Sequence, residues 1–217
     1  MLKKIAKLGF QLLPEPMQKR LRIRLMRMRR KTLIEKWKRS GKPLPAPHVV
    51  KQSVIEHYKS LSNYNVFVET GTYLGDMVEA QRKSFRKIYS IELGEQLWRS
   101  AVKRFAKYKY IKILQGDSGK VLNKVIRELN EPAIFWLDGH YSAGITAKGE
   151  KECPIFEEID AIFKGKSQEH ILLVDDARCF NGQGDYPTIE SLTKYIKSKD
   201  ERYNVEINND VICYTIG

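Results

Sequence analysis

Acidic residues recur in this chain at one kind of place, the end of a short β-rich run. Glu69 follows Val66-Phe67-Val68, and Glu92 follows Ile88-Tyr89-Ser90-Ile91. Asp117 comes just after Ile113-Leu114-Gln115-Gly116, Asp138 follows Phe135-Trp136-Leu137, and Asp175 with Asp176 follow Leu172-Leu173-Val174. One acid past a strand is an ordinary loop residue. A succession of them on one rim crowds like charges, raising their pKa values and destabilising the fold unless something cationic binds there. Such a rim disfavours phosphate and favours a positively charged ligand. The turn after the first run, Glu69-Thr70-Gly71-Thr72-Tyr73-Leu74-Gly75, reads ExGxxxG. It is neither the GxGxxG of dinucleotide sites nor the GK[ST] of a phosphate loop. Gly71 allows a sharp turn and close approach to a ligand, and Gly75 allows a helix to pack near the strand. Glu92 stands about 20 residues beyond Gly71, where an acid takes the two ribose hydroxyls of a nucleoside. Gly116-Asp117-Ser118 is placed for an adenine edge. Asp138, Asp175 and Asp176 end neighbouring runs and offer hard oxygen ligands suited to Mg²⁺. Asp138 and His140 are the candidates to accept a proton in catalysis.

These residues need a scaffold that brings strand ends together. Beyond residue 50, β-rich runs at 66–70, 87–93, 111–115, 133–138 and 170–175 alternate with helical stretches at 76–85, 95–107, 120–129, 155–163 and 188–199. Such alternation specifies an α/β fold, a parallel sheet with helices on both faces. Two last runs, 203–208 and 211–216, are joined across Asn209-Asp210 and read as an antiparallel hairpin. The expected sheet is therefore seven-stranded and mostly parallel. In open sheets of this kind ligands bind outside the carboxyl ends of the strands, where all the acids above are delivered.

The combination resembles the class I S-adenosylmethionine (SAM)-dependent methyltransferases. The residues that carry the resemblance are Glu69-x-Gly71-x-x-x-Gly75, Glu92, Gly116-Asp117-Ser118 and Trp136-Leu137-Asp138-Gly139-His140. It implies a Rossmann-like methyltransferase fold with SAM as cofactor. Glu69, Thr70, Gly71, Thr72, Tyr73 and Gly75 would hold the methionine part, Glu92 the ribose, Asp117 and Ser118 the adenine, with Asp138 beside the cofactor. The GxG core common in this turn is absent, as in the subgroup of small-molecule O-methyltransferases. The aspartate set is similar to that of macrocin-type (TylF-like) sugar O-methyltransferases. That likeness implies a divalent metal on Asp138, Asp175 and Asp176 that grips a substrate diol and lowers the pKa of its hydroxyl.

Polar, glycine-punctuated loops follow the fourth and fifth runs, at 141–151 and 180–187. The first reads as a substrate lid. Neither carries an aromatic wall for a flat acceptor, so a sugar, glycan or other polyhydroxylated acceptor is expected. Cys153, Cys179 and Cys213 are odd in number and form no CxxC pair, which argues against a disulfide framework or structural zinc and for reduced thiols in the cytoplasm. Cys179 is expected to be a bystander to the site.

The formal net charge of +13 lies wholly in residues 1–50, whose only acids are Glu15 and Glu35. The arm and linker, residues 1–47, form a basic amphipathic segment ending in the stiff, extended stretch Gly41-Lys42-Pro43-Leu44-Pro45-Ala46-Pro47, and the remaining domain, 48–217, is neutral overall. The arm's partners are its own domain, an anionic membrane surface at the inner face of the membrane, a second subunit in a homo-oligomer, or, less readily, nucleic acid. No apolar run has membrane-spanning length. Three rival readings stay open from the sequence: a nicotinamide-dependent oxidoreductase on a similar sheet, a non-catalytic binding module whose arm recruits nucleic acid or anionic lipid, and a nucleic-acid methyltransferase, which the net charge invites and the neutral body discourages.

Overall fold

The computed structural model describes residues 28–139, 153–166 and 169–217. The chain forms two compact units, Met1–Val50 and Lys51–Gly217. Along the chain the named elements are α1 (His48–Leu61), β1 (Val66–Thr70), α2 (Asp76–Gln81), β2 (Lys87–Glu92), α3 (Glu95–Phe105), β3 (Ile111–Gln115), α4 (Ser118–Glu128), β4 (Ala133–Leu137), α5 (Ile155–Phe163), β5 (Ile171–Val174), α6 (Ile189–Lys199), β6 (Tyr203–Asn208) and β7 (Val211–Ile216). A short 3₁₀ turn, Ala177–Cys179, follows β5.

The strands build one seven-stranded sheet in the order β3-β2-β1-β4-β5-β7-β6. Pairing is parallel from β3 through β5, and β7 runs antiparallel to both β5 and β6. Every residue of β1, β4 and β5 is buried, as unbroken apolar runs must be when helices cover both faces. Their side chains divide by the two-residue period. Phe67, Ile134, Trp136 and Leu173 join a core with Val54, Ile55 and Tyr58 of α1 and with Met77, Val78, Ala101 and Phe105 of α2 and α3. Val66, Val68, Phe135, Leu137 and Leu172 join the opposite core with residues of α4, α5 and α6. The chain order reverses between β1 and β4, which opens a crevice at their carboxyl ends.

The mostly parallel sheet and its terminal hairpin are as the sequence predicts, and the Asn209-Asp210 turn has both residues at positive φ, 53° and 69°, the conformation of a two-residue hairpin. Three local differences matter. Helix α2 stops at Gln81, short of the expected 85, and turns through residues 82–84 so that Phe85 can enter the core against Phe67, ring centroids 5.2 Å apart. Helix α1 is not among the expected helices. The segment 41–47 is not an extended spacer. Gly41 and Lys42 both take positive φ, the Trp37 indole N–H donates to the Pro43 carbonyl at 2.8 Å, and Ala46 is buried with Trp37 and Val50. In this smaller unit residues 28–39 are helical, with Ile34 packed on that cluster while Met28 and Leu33 are exposed. The rest of the proposed arm, residues 1–27, lies outside the described residues, and so does the expected lid at 141–151. Among the described residues no helix is long and apolar enough to cross a membrane.

Candidate active site

At the end of β1 the chain must turn without colliding with β4. Gly71 has φ +82°, and a Cβ there would sit 2.2 Å from the Asp138 carbonyl oxygen, so only glycine fits. Its N–H donates to the Ile91 carbonyl at 2.9 Å, which ties the turn to β2. From β4, the Asp138 N–H donates to the Thr70 hydroxyl at 3.1 Å. The ends of β1, β2 and β4 are thereby tied together by hydrogen bonds, and the carboxylates follow from that register.

Glu69 is buried and accepts a hydrogen bond from the Ser90 hydroxyl, which itself lies 2.6 Å from the Thr72 hydroxyl. Burial holds the Glu69 carboxyl well above the usual carboxylate range; the Ser90 bond opposes this, and Asp138 and Glu92 add to it. Glu92 uses one oxygen for the Tyr73 N–H at 2.7 Å and the other for the Gly94 N–H at 2.8 Å. Tyr73 adopts φ +48° to present that N–H, an unusual conformation for a residue with a side chain. The Gly116 N–H donates to the Glu92 carbonyl at 2.9 Å, which brings Asp117 and Ser118 alongside. Asp117 is the N-cap residue of α4, and Ser118 is buried at its first position. Ser118 Oγ also lies near Gly139, 3.0 Å from where a Cβ would be. The structure thus gathers Glu69, Thr70, Gly71, Thr72, Tyr73, Glu92, Asp117, Ser118 and Asp138 around one crevice. Gly75 serves packing, since a Cβ there would meet the Phe105 ring at 2.7 Å.

No protein-family model and no curated protein matches the chain. Solved structures do. The chain is similar to the O-methyltransferase of Bacillus cereus in complex with S-adenosylhomocysteine (TM-score 0.57, 9% identity, covering 86% of this chain and 90% of that one). It is similar to the O-methyltransferase TomG of Streptomyces achromogenes in complex with SAM (0.56, 13%, 87% and 89%). A third is the methyltransferase PaMTH1 of Podospora anserina with S-adenosylhomocysteine bound (0.53, 14%, 95% and 98%). The chain has the methyltransferase fold.

Beyond the ends of β4 and β5 the structure departs from expectation. The Lys51 ammonium of α1 lies between the two aspartates that follow β5, 2.6 Å from Asp175 Oδ2 and 2.7 Å from Asp176 Oδ1. Arg178 Nη1 shares Asp176 Oδ1 at 2.7 Å and also pairs with Asp210 of the β6–β7 turn. Asp210 Oδ1 accepts the Arg178 N–H at 3.0 Å, and its carbonyl accepts the Ala177 N–H at 2.8 Å. Asp176 takes φ +56° and donates its own N–H to Asp175 Oδ1 at 2.7 Å. Burial pushes the Asp175 carboxyl well above its usual range; Asp138 adds to the push and Lys51 opposes it. Burial pulls the Lys51 ammonium down, but its two carboxylates outweigh that and its pKa is raised. Asp138 thus raises both Glu69 and Asp175 by like-charge repulsion.

The expected metal set therefore meets a different arrangement. Among the described residues no group of three or more His, Cys, Asp or Glu is disposed to hold a metal ion. Asp175 Oδ2 faces the Lys51 ammonium, Asp176 Oδ1 faces that ammonium and the Arg178 guanidinium, and Asp175 Oδ1 accepts the Asp176 N–H, so as arranged the pair does not fit a divalent cation. His140 lies outside the described residues. Cys179 is a free thiol whose pKa is raised by burial, which makes it a poor nucleophile. Cys153 and Cys213 are buried, with thiols pushed up to about 12.

Sequence reasoning missed Ser90, Lys51 and Asp210, whereas the pairing of Asp176 with Arg178 is one the short spacing offers. Ser90 carried a signal, a hydroxyl in the middle of a buried apolar run. Lys51 carried none, because its partner Asp175 is 124 residues away.

Proposed function

We propose that the chain is a SAM-dependent O-methyltransferase acting on a hydroxyl of a small polyhydroxylated acceptor such as a sugar or glycan. The observation that carries this reading is the Glu92 carboxylate. An ionised carboxylate offers about four acceptor positions, and two backbone N–H groups take one on each oxygen. That leaves one lone pair per oxygen for the two hydroxyls of a ribose, on a fold whose solved relatives include complexes with SAM and its demethylated product.

SAM supplies an electrophilic methyl group on a sulfonium centre. The chain's own residues do the rest. Glu69 gives the methionine ammonium a counter-charge: its carboxyl is held high by burial, and a cation beside it favours the ionised form. Glu92 fixes the ribose, and Asp117 with Ser118 border the adenine. The turn through Gly71 keeps the β1 backbone against Asp138, which holds that residue beside the cofactor for the acceptor hydroxyl to meet. Positioning of this kind converts an encounter into a near-unimolecular step. Asp138, with His140 as the alternative, would take the proton that leaves the acceptor oxygen as the methyl carbon exchanges its bond to sulfur for one to that oxygen, with S-adenosylhomocysteine as the leaving group.

Calorimetry with S-adenosylhomocysteine on the full chain tests the reading. Micromolar binding that is weakened by Glu92→Ala supports it; no binding of SAM or S-adenosylhomocysteine, or binding of NADH in their place, overturns it.

A further inference from the structure

The charges after β5 form a network whose centre is Lys51. Its Nζ bridges carboxylates of two consecutive residues at 2.6 and 2.7 Å, and its side chain is only 13% exposed. The contact is built from both ends. On the helix side, Tyr58 lies seven residues, about two turns, along the same face of α1. Its hydroxyl donates to Glu206 Oε1 on β6 at 2.5 Å, and its ring is buried in the core with Val54 and Ile55. Helix α1 is therefore pinned over the sheet at two points, and Lys51 has little freedom to withdraw. On the strand side, the left-handed backbone at Asp176 turns its carboxylate toward Lys51, and Arg178, held in turn by Asp210, keeps it there. A buried ion pair broken on one side leaves an uncompensated charge, so displacing Lys51 to admit another cation is unfavourable.

We propose that Lys51 is the resident cation of the Asp175–Asp176 pair. Its ammonium takes the place in which this acidic rim would otherwise bind a divalent ion, and it fixes both carboxylates beside the acceptor. Lys51 is thus a positioning residue, acting through Asp175 and Asp176, and methyl transfer by this chain is independent of divalent metal. The inference rests on the methyltransferase reading for its catalytic consequence, but its physical content concerns cation occupancy and is measured without turnover.

The experiment is a Mn²⁺ titration of the full chain followed by electron paramagnetic resonance, for the wild type, Lys51→Met, Asp175→Asn and the double variant. The expected result is no Mn²⁺ held by the aspartate pair in the wild type and at least a tenfold gain in affinity in Lys51→Met. The gain disappears when Asp175→Asn is added. Methyl transfer by the wild type is unchanged by EDTA, whereas Lys51→Met loses at least tenfold in kcat and Lys51→Arg recovers part of it. A one-to-one Mn²⁺ site in the wild type that Asp175→Asn abolishes overturns the proposal, and so does a Lys51→Met variant that gains no Mn²⁺. Should Lys51→Met fail to fold, the wild type compared with Asp175→Asn still decides. Calorimetry with S-adenosylhomocysteine on the same samples reports separately on the methyltransferase reading, so failure of either is recognised on its own.

Discussion

Replacing Glu92 by Gln removes one charge and half of an acceptor set while leaving the shape nearly unchanged. In the wild type each carboxylate oxygen receives one backbone N–H, from Tyr73 at 2.7 Å and Gly94 at 2.8 Å, and keeps a position for one ribose hydroxyl. The glutamine amide keeps one such oxygen. Its NH₂ group leaves a backbone N–H without an acceptor, and it can only donate to a hydroxyl that in the wild type donates to the carboxylate. One charge-assisted hydrogen bond to the ribose is then lost, about 1.5–3 kcal/mol, which lowers S-adenosylhomocysteine affinity by about 10- to 100-fold. The unpaired backbone N–H costs a further ~1–3 kcal/mol of folding stability. Binding must therefore be read by calorimetry well below the melting transition, beside a urea midpoint that shows the variant folded. Glu95→Gln is the control, since that side chain is exposed and pairs with Arg99 on the surface of α3. A folded Glu92→Gln protein that binds S-adenosylhomocysteine within twofold of the wild type would refute the ribose assignment.

Gly71→Ala forces a Cβ to within 2.2 Å of the Asp138 carbonyl oxygen at a positive φ; we expect at least about 2 kcal/mol of destabilisation in a urea titration and loss of S-adenosylhomocysteine binding. Glu69→Gln removes a carboxyl whose ionisation burial already opposes, so the urea midpoint should shift by less than about 1 kcal/mol while SAM affinity falls about tenfold or more; unchanged SAM affinity counts against Glu69 as the ammonium partner. His170 accepts the Ala133 N–H through Nδ1 at 3.1 Å, and burial holds its pKa down to about 4. The unfolded chain takes up this proton below about pH 6.5 and the folded chain not until about 4, so stability falls as pH drops through that window. The loss is up to about 3 kcal/mol. Urea midpoints from pH 7.5 to 4.5 should show this slope relative to His170→Asn, and parallel curves for the two proteins would rule it out.

The sheet was legible because its signals are local. Residues 66–70, 111–115, 203–208 and 211–216 are strands with the bounds their composition predicts, and Glu69 and Glu92 fall on the rim because an apolar run that ends in an acid can place it nowhere else. Helix α1 was obscured by the proline-rich stretch before it, although Val54, Ile55 and Tyr58 recur at helical spacing. The acceptor side was only half legible. Asp175 and Asp176 were recognisable as a pair of carboxylates, but whether such a pair takes a metal or an ammonium depends on a residue placed by tertiary packing. Lys51 looks like any other lysine in a basic stretch until α1 is laid against β5 and β6. The left-handed turn at Asp176 and the reach of Asp210 to Arg178 are likewise products of the sheet order and not of any short pattern.

That sheet order also sets a sequence of events during synthesis. Strand β7 lies between β5 and β6, although it is translated after both. A nascent chain that has emerged as far as Val174 holds every residue assigned to the cofactor, from Glu69 to Asp138. Its fifth strand is then still an open edge of apolar residues, and Asp176 and Arg178 have yet to appear. The rim formed by Glu69 and Glu92 is complete in sequence at that point, while the network at Asp175 and Asp176 waits for the hairpin to double back, pair with β5 and deliver Asp210 to Arg178. In that interval Ile171–Val174 offers unpaired backbone to any passing strand, and early occupancy of the crevice by cofactor would favour the arrangement onto which β7 must close.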